Sequence, residues 1–159
     1  MLKITKKFDY AMVLLTDLGI SQDSPLSARK ISERYGLSPS LTANVLKGLQ
    51  RSSLVRSTRG VHGGYVLGRS PGEITLGEVI HALEGHRNLT DCHFQSGRKE
   101  VRCPAHPICP ARGYVSLLDR RIRALFEDAT LADVILASTA PAVPCKEKTG
   151  ACLKHAARQ

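Results

Sequence analysis

Residues 31–67 read ISERYGLSPSLTANVLKGLQRSSLVRSTRGVHGGYVL, and their pattern predicts two short helices followed by a β-hairpin. Ser27 is a suitable N-cap for the first helix. Gly36 favours its end, because glycine adopts the left-handed conformation found there at little cost. Ser38 is a suitable N-cap for the second helix, and Pro39 occupies its first position. The missing N–H of proline costs no hydrogen bond there, because the first N–H of a helix has no partner within the helix. Two helices joined by so short a turn are typical of a helix-turn-helix.

The second helix, predicted over residues 39–51, has two chemically different faces. Its apolar face carries Leu41, Val45, Leu46 and Leu49, and its other face carries Ser40, Asn44, Lys47 and Arg51. The polar and basic face is suited to contact with nucleic acid. The ordinary alternative is the solvated side of an amphipathic helix, since such helices are common.

The segment after this helix predicts a β-hairpin. Leu54 and Val55 precede a glycine-rich turn, and the apolar residues 65–67 follow it, as in two antiparallel strands. A hairpin directly after a helix-turn-helix is a wing, and arginine at a wing tip suits phosphates or a narrow minor groove. The residues predicted to contact DNA are therefore Ser38, Ser40, Asn44, Lys47, Arg51, Arg56, Arg59, His62, Gly63 and Gly64.

Charge is distributed unevenly along the 159 residues. Residues 1–70 contain 11 Lys or Arg and 4 Asp or Glu, whereas residues 71–159 contain 12 and 10. The first part therefore carries most of the net charge of +9, which favours an anionic partner such as double-stranded DNA. The sequence contains no run of about 18 apolar residues, so no membrane span is predicted. Asp9 and Asp17 interrupt the apolar opening of the chain, which is interpreted as a helix of a cytoplasmic protein and not as a signal peptide.

Residues 91–109, DCHFQSGRKEVRCPAHPIC, bring Cys92, Cys103 and Cys109 into one short polar segment. The chain has five cysteines, and an odd number in an intracellular setting favours ligand or redox chemistry over disulfides. Thiolates are ligands of iron–sulfur clusters and of zinc. A cluster is favoured, because structural zinc sites usually show closer C-x2-C pairing. Zinc held by the three cysteines and His106 is one alternative, and unliganded reduced thiols are another.

A long helix is predicted over residues 112–128, directly after the cysteines. Its apolar residues Val115, Leu118, Ile122 and Leu125 are spaced three, four and three residues apart. This spacing is typical of a narrow seam between two paired helices and predicts a homodimer. Packing of the seam against its own domain is the alternative.

The predicted fold class is mainly α, a winged helix-turn-helix with a β-hairpin wing and a long C-terminal dimerisation helix. The predicted parts are a DNA-binding domain over 1–85, a cysteine-bearing cluster loop over 86–111, a dimerisation helix with a short closing helix over 112–138, and a flexible tail over 139–159. An enzyme is disfavoured, since no paired carboxylates or nucleophile–base arrangement stands out. An iron–sulfur carrier is the competing class, but a carrier would need neither the helix-turn-helix nor the wing.

The chain from residue 1 to about 135 resembles the IscR/NsrR family of winged-helix iron–sulfur regulators, particularly its branch that controls SUF iron–sulfur assembly. The matching motifs are DYA at 9–11, SERYGLS at 32–38, RGVHGGYVL at 59–67, EVIHALEG at 78–85 and the three cysteines. The resemblance implies a homodimeric repressor that binds operator DNA and senses cluster status, redox state or nitric oxide. It assigns the cluster, of 2Fe–2S or 4Fe–4S type, to Cys92, Cys103 and Cys109.

The resemblance also bears on the remaining cluster ligand. IscR-type members use a histidine three residues after the last cysteine, where this chain has Arg112, a guanidinium that cannot ligate. NsrR-type members use a carboxylate near the start of the first helix of the partner subunit, and Asp9 is the matching residue here. Its alternative role is to stabilise the helix dipole. His93 and His106 are the competing ligands, while Cys145 and Cys152 match no family motif and are expected to be spare thiols.

Overall fold

The structure, a computed structural model, describes residues 5–21, 24–60, 63–85 and 103–139. Within these ranges the chain forms six α-helices and one two-stranded sheet. The elements in order are α1 (Lys6–Ile20), α2 (Ala28–Tyr35), α3 (Pro39–Arg51), β1 (Val55–Thr58), β2 (Gly64–Leu67), a short 3-10 helix (Pro71–Glu73), α4 (Leu76–Glu84), α5 (Arg112–Asp128) and α6 (Leu131–Thr139). The cysteine loop before residue 103 and the tail after residue 139 lie outside the described residues.

One hydrophobic core joins five of the helices and the hairpin. Its buried members include Leu14 and Leu15 of α1, Ile31 of α2, Leu46 and Leu49 of α3, Val55 of β1, Val79 of α4 and Leu131 of α6. Each fully buried leucine contributes about 1.5–3 kcal/mol relative to an exposed one. The two helices of the helix-turn-helix are therefore held by their apolar faces, and their polar faces stay outside.

The local signals in the sequence locate the helix ends correctly. The Ser27 hydroxyl accepts a hydrogen bond from the Lys30 amide at 3.2 Å, and Gly36 ends α2 with a φ of 62°, which favours glycine. Ser38 occupies the N-cap position of α3, and Pro39 follows it, but the Ser38 hydroxyl makes no capping bond.

The wing is an antiparallel hairpin in which Val55 pairs with Leu67 and Thr58 pairs with Gly64. Leu26, just before α2, adds a backbone bridge to the second strand: the Leu26 N–H donates to the Tyr65 carbonyl at 3.0 Å, and the reverse bond measures 2.9 Å. The two paired strands and this bridge fix the base of the wing beside the helix-turn-helix.

The start of α6 is tied to the segment that precedes α4. The Leu131 N–H donates to the Ile74 carbonyl at 2.8 Å, and the Leu76 N–H donates to the Ala129 carbonyl at 2.9 Å. This backbone bridge connects the end of α5 to the winged domain. A movement of α5 can therefore be passed to that domain through covalent and hydrogen-bonded backbone.

Glu78 has two roles at the start of α4. Its carboxylate accepts from the Thr75 N–H at 3.1 Å, completing a capping box with the Thr75 hydroxyl, and it pairs with Arg69 at 2.8 Å. Burial raises the pKa of Glu78, but the hydrogen bonds and charge of Arg69 and the Thr75 donors outweigh burial and leave the pKa below its usual value.

Glu78→Gln is expected to destabilise the protein modestly at neutral pH. Because 42% of the Glu78 side chain is exposed, solvent screens the pair, and we expect about 0.5 kcal/mol. A carboxyl with a depressed pKa stabilises the fold above its unfolded pKa, and this contribution is lost as pH falls through the folded pKa. Urea unfolding from neutral to acidic pH should therefore show the difference from wild type shrinking. Glu33→Gln, in an exposed pair, is the control, and a difference independent of pH would contradict the assignment.

Candidate nucleic-acid interface and metal-binding segment

The predicted division of α3 into two faces agrees with its burial. Val45, Leu46 and Leu49 are buried and Leu41 is half-buried, whereas Ser40, Asn44, Lys47 and Arg51 are all exposed. The exposed face carries two positive charges, one amide and one hydroxyl within four turns of helix. These groups can donate to phosphate oxygens and to base edges in a major groove.

The wing places further basic groups beside this face. Arg56 on β1 and Arg59 just beyond its end are both exposed, and His62 lies outside the described residues. Gly63 is required for steric reasons, since a Cβ there would lie 2.5 Å from the Thr58 carbonyl oxygen. Gly64 is required as well, because its Cβ would lie 2.7 Å from the backbone of residue 26.

A side-chain bond between α3 and the wing was not predicted from the sequence. Gln50, near the end of α3, donates from Nε2 to the Ser57 hydroxyl of β1 at 3.1 Å. The bond fixes the first wing strand relative to the helix that carries Asn44 and Lys47. Both partners are exposed polar residues, and neither has a local sequence signal that would identify the pair.

A second missed contact connects the first two helices. Asp17 of α1 is only 5% exposed, and its Oδ1 accepts from Arg34 Nη1 of α2 at 2.7 Å. Removing Arg34 would leave a buried carboxylate unpaired, which is strongly destabilising. The ion pair therefore sets the position of α2 on α1, and through the turn at Gly36 it also affects α3.

The described part of the cysteine segment contains Cys103, Cys109 and His106, while Cys92 and His93 lie outside it. Both described thiols are free and half-buried. The carbonyl of Cys103 accepts from the His106 N–H at 3.1 Å, and that of Cys109 accepts from the Arg112 N–H at 3.4 Å. These turns lead directly into α5, so any ligand bound to the two thiols would be attached to the start of the long helix.

The donor types in this region are suitable for an iron–sulfur cluster. Cys103 and Cys109 offer reduced thiols, which are the usual cluster ligands, and Asp9 is an exposed carboxylate in the first turn of α1. Within the ranges that the structure describes, no three His, Cys, Asp or Glu side chains come together as a metal site. The assignment of Cys92 and Asp9 as ligands therefore stays a prediction.

The four residues of the predicted seam differ in exposure on α5. Leu118 and Leu125 are 46% and 70% exposed, whereas Val115 and Ile122 are half-buried within their own protomer. Tyr114, 70% exposed, falls with the two leucines in a sector of about 40° at 100° per residue. The exposed apolar stripe of α5 is therefore Tyr114, Leu118 and Leu125.

α5 also contains a buried charge that its spacing does not suggest. Asp119 is 1% exposed, and its Oδ2 accepts from Arg123 Nε at 2.8 Å. A buried carboxylate on the side away from Leu118 and Leu125 shows that α5 packs on its own protomer through that side.

The helices of residues 5–21, 24–60, 63–85 and 103–139 include none long and apolar enough to cross a membrane. A helix-turn-helix with an exposed polar and basic recognition helix, followed by a hairpin with exposed arginines, defines a winged-helix DNA-binding protein. The model of the family described as "Rrf2: Iron-dependent Transcriptional regulator" matches residues 4–137. The chain belongs to the Rrf2 family of transcriptional regulators.

Individual relatives agree with this membership. The HTH-type transcriptional regulator IscR of Aliivibrio salmonicida (strain LFI1238) is 30% identical over 156 residues, which is 97% of this chain and 89% of that protein. The solved T. potens IscR has a TM-score of 0.67 and 28% identity, over 86% of this chain and 88% of that one. The matched family and relative are transcriptional regulators, so the chain is a regulator and not an enzyme, as predicted.

The fold is also shared by a solved regulator with a different name. The structure of CymR (YrzC), described as the global cysteine regulator of B. subtilis, has a TM-score of 0.66 and 28% identity, over 86% of this chain and 98% of that one. The fold alone therefore does not specify a signal.

Proposed function

We propose that the chain is a cytoplasmic, homodimeric repressor that binds operator DNA, and that its affinity for the operator depends on an iron–sulfur cluster. The observation that carries the DNA-binding part of the proposal is the exposed polar and basic face of α3. The bond from Gln50 to Ser57 connects this helix to the first strand of the wing. The cysteines before α5 support the sensing part, and the resemblance to regulators of SUF assembly makes iron–sulfur assembly genes the proposed targets.

In this proposal α3 enters the major groove of the operator. The Asn44 amide is suited to a bidentate contact with adenine, and Lys47 and Arg51 are suited to phosphates. Arg59 at the wing tip is suited to an adjacent minor groove, where negative potential is enhanced if the groove is narrow. Two such domains in a two-fold dimer would require half-sites about one or two helical turns apart.

The cluster would be held by Cys92, Cys103 and Cys109, with Asp9 of the partner subunit as the further ligand. When bound, it supplies a redox-active group that oxygen or nitric oxide can attack. Cys109 lies just before α5, and α5 is connected to the winged domain by the backbone bridge at Ile74 and Leu131. Cluster status would therefore change the position of the winged domains relative to α5 and hence operator affinity.

Substitutions on α3 and the wing test whether these two elements contact the operator. We expect Asn44→Ala to weaken binding to an operator selected from a random duplex pool by about 5- to 100-fold, corresponding to about 1–3 kcal/mol for one bidentate base contact. Lys47→Ala should weaken binding to all duplexes similarly and lower the salt slope by about 1. Arg59→Ala should weaken binding as well. Fluorescence anisotropy over a salt series measures all three.

Arg120→Ala, at an exposed arginine of α5 that lies about 160° around the helix from Leu118, is the matched control for lost charge. It should bind the selected operator like the wild type. If Asn44→Ala, Lys47→Ala and Arg59→Ala also bind like the wild type, then α3 and the wing do not read the operator.

A further inference from the structure

The N-terminus of the recognition helix α3 is capped from another helix. Ser38 occupies the N-cap position, yet its hydroxyl makes no capping bond. In a capping box a Glu or Gln three residues after the N-cap would accept the N-cap N–H, but that position is Leu41. The Ser38 N–H donates instead to the Tyr10 hydroxyl of α1 at 3.3 Å. Tyr10 thus takes the role of the missing carboxylate.

Tyr10 lies on the helix that is anchored most extensively in the core. Tyr10 is itself half-buried against the hydrophobic core, and Leu14, one turn later, is fully buried. Phe8, two residues earlier, makes an edge-to-face contact with Phe126 of α5, with ring centroids 6.5 Å apart. The phenol hydroxyl is therefore presented to Ser38 from a rigid support.

The same end of α1 contacts a third element. The Thr5 hydroxyl hydrogen bonds to Glu84 in the last turn of α4. Residues 5–10 consequently connect the dimerisation helix, the helix that precedes the cysteine loop and the recognition helix. Asp9, the exposed candidate ligand, lies in this same turn of chain.

We propose that Tyr10 is a positioning residue for DNA reading, and that its hydroxyl fixes the angle at which the first turns of α3 meet the bases. The proposal rests on the proposed function. Ser40 and Asn44 project from these turns, and hydrogen bonds to base edges weaken steeply when their geometry is lost. Without the hydroxyl, water can satisfy the Ser38 N–H, so the fold persists while the end of α3 gains freedom.

The test is Tyr10→Phe, which keeps the ring and removes only the hydroxyl. Tyr35→Phe, at a 46% exposed position at the end of α2, is the matched control. The first measurement is amide hydrogen exchange at Ser38 by NMR in the free full-length protein. One net hydrogen bond corresponds to about a threefold to tenfold effect, so Ser38 exchange should accelerate by this factor in Tyr10→Phe and not in Tyr35→Phe.

The second measurement is the ratio of affinities for the selected operator and for a scrambled duplex of equal length. We expect Tyr10→Phe to lower this ratio by about threefold to tenfold, with the scrambled-duplex affinity and the salt slope unchanged. A purely structural role would leave the ratio intact, because loss of folded protein lowers both affinities together.

Two results would overturn the positioning role. Equal weakening on both duplexes with a shallower salt slope would make Tyr10 a phosphate contact, and unchanged exchange and ratio would show that the bond to Ser38 fixes nothing. A wild-type protein that prefers no duplex sequence would overturn the proposed function and the reading role with it. Ser38 exchange would still show whether Tyr10 holds the start of α3.

Discussion

Leu118→Asp combined with Leu125→Asp is expected to convert the proposed dimer into monomers and to lower operator affinity by about 100-fold or more. The affinity loss follows because a monomer engages one half-site and loses the effective concentration of the second. Both leucines are 46% exposed or more, so the protomer should stay folded, whereas a dimer would have to bury two new charges per chain. Ile122 is half-buried in its own protomer, which makes it a less suitable position for the test.

Sedimentation velocity and operator anisotropy measure the two effects. Arg120→Asp is the matched control, since Arg120 is exposed and lies about 160° around α5 from Leu118. The control should stay dimeric. A double variant that still sediments as a dimer would place the interface on another surface and contradict the assignment of the stripe.

Cys103→Ala and Cys109→Ala are each expected to abolish the visible absorption of anaerobically reconstituted protein and to remove its iron and sulfide. Cys92→Ala should do the same. Loss of one thiolate leaves an iron without its ligand. The described segment contains two cysteines, both free and half-buried, so it has no third cysteine to replace either one. Cys145→Ala and Cys152→Ala are the matched controls and should keep the wild-type spectrum. Stoichiometric zinc without sulfide would refute the cluster in favour of the zinc alternative.

The remaining ligand is tested in the same preparation. Asp9→Ala is expected to shorten the lifetime of the absorption in air, because a weakly held oxygen ligand that is lost leaves one iron open to solvent. His93→Ala and His106→Ala should behave like the wild type. If His106→Ala alone destabilises the cluster and Asp9→Ala leaves it untouched, the assignment of Asp9 as a ligand across the subunit interface is wrong.

The helix ends and the wing could be predicted from the sequence because their signals are local. Ser27 and Gly36 act within four residues of the position they determine, and the structure confirms both. Glycines between apolar pairs likewise predicted the hairpin. A capping preference or a backbone conformation depends on residues that are close in sequence, so it can be recognised before the fold is known.

The contacts that orient these elements could not be predicted in this way. Asp17 meets Arg34 and Tyr10 meets Ser38 across gaps of 17 and 28 residues. Such pairs depend on how the helices pack, and each partner alone resembles an ordinary surface residue. The same limit applies to the predicted metal site: its residue types are visible in the sequence, but which carboxylate or imidazole would complete it depends on assembly.

The separation of the two faces of α3 has a consequence for how operators diverge among relatives. The residues proposed to read DNA are exposed, whereas the residues that hold the helix in place lie on the opposite face. Surface substitutions away from caps and networks usually change stability by no more than about 0.5 kcal/mol. Mutation at Ser40 and Asn44 can therefore change the proposed base contacts almost without a folding penalty, so recognition can evolve while the winged-helix framework stays the same.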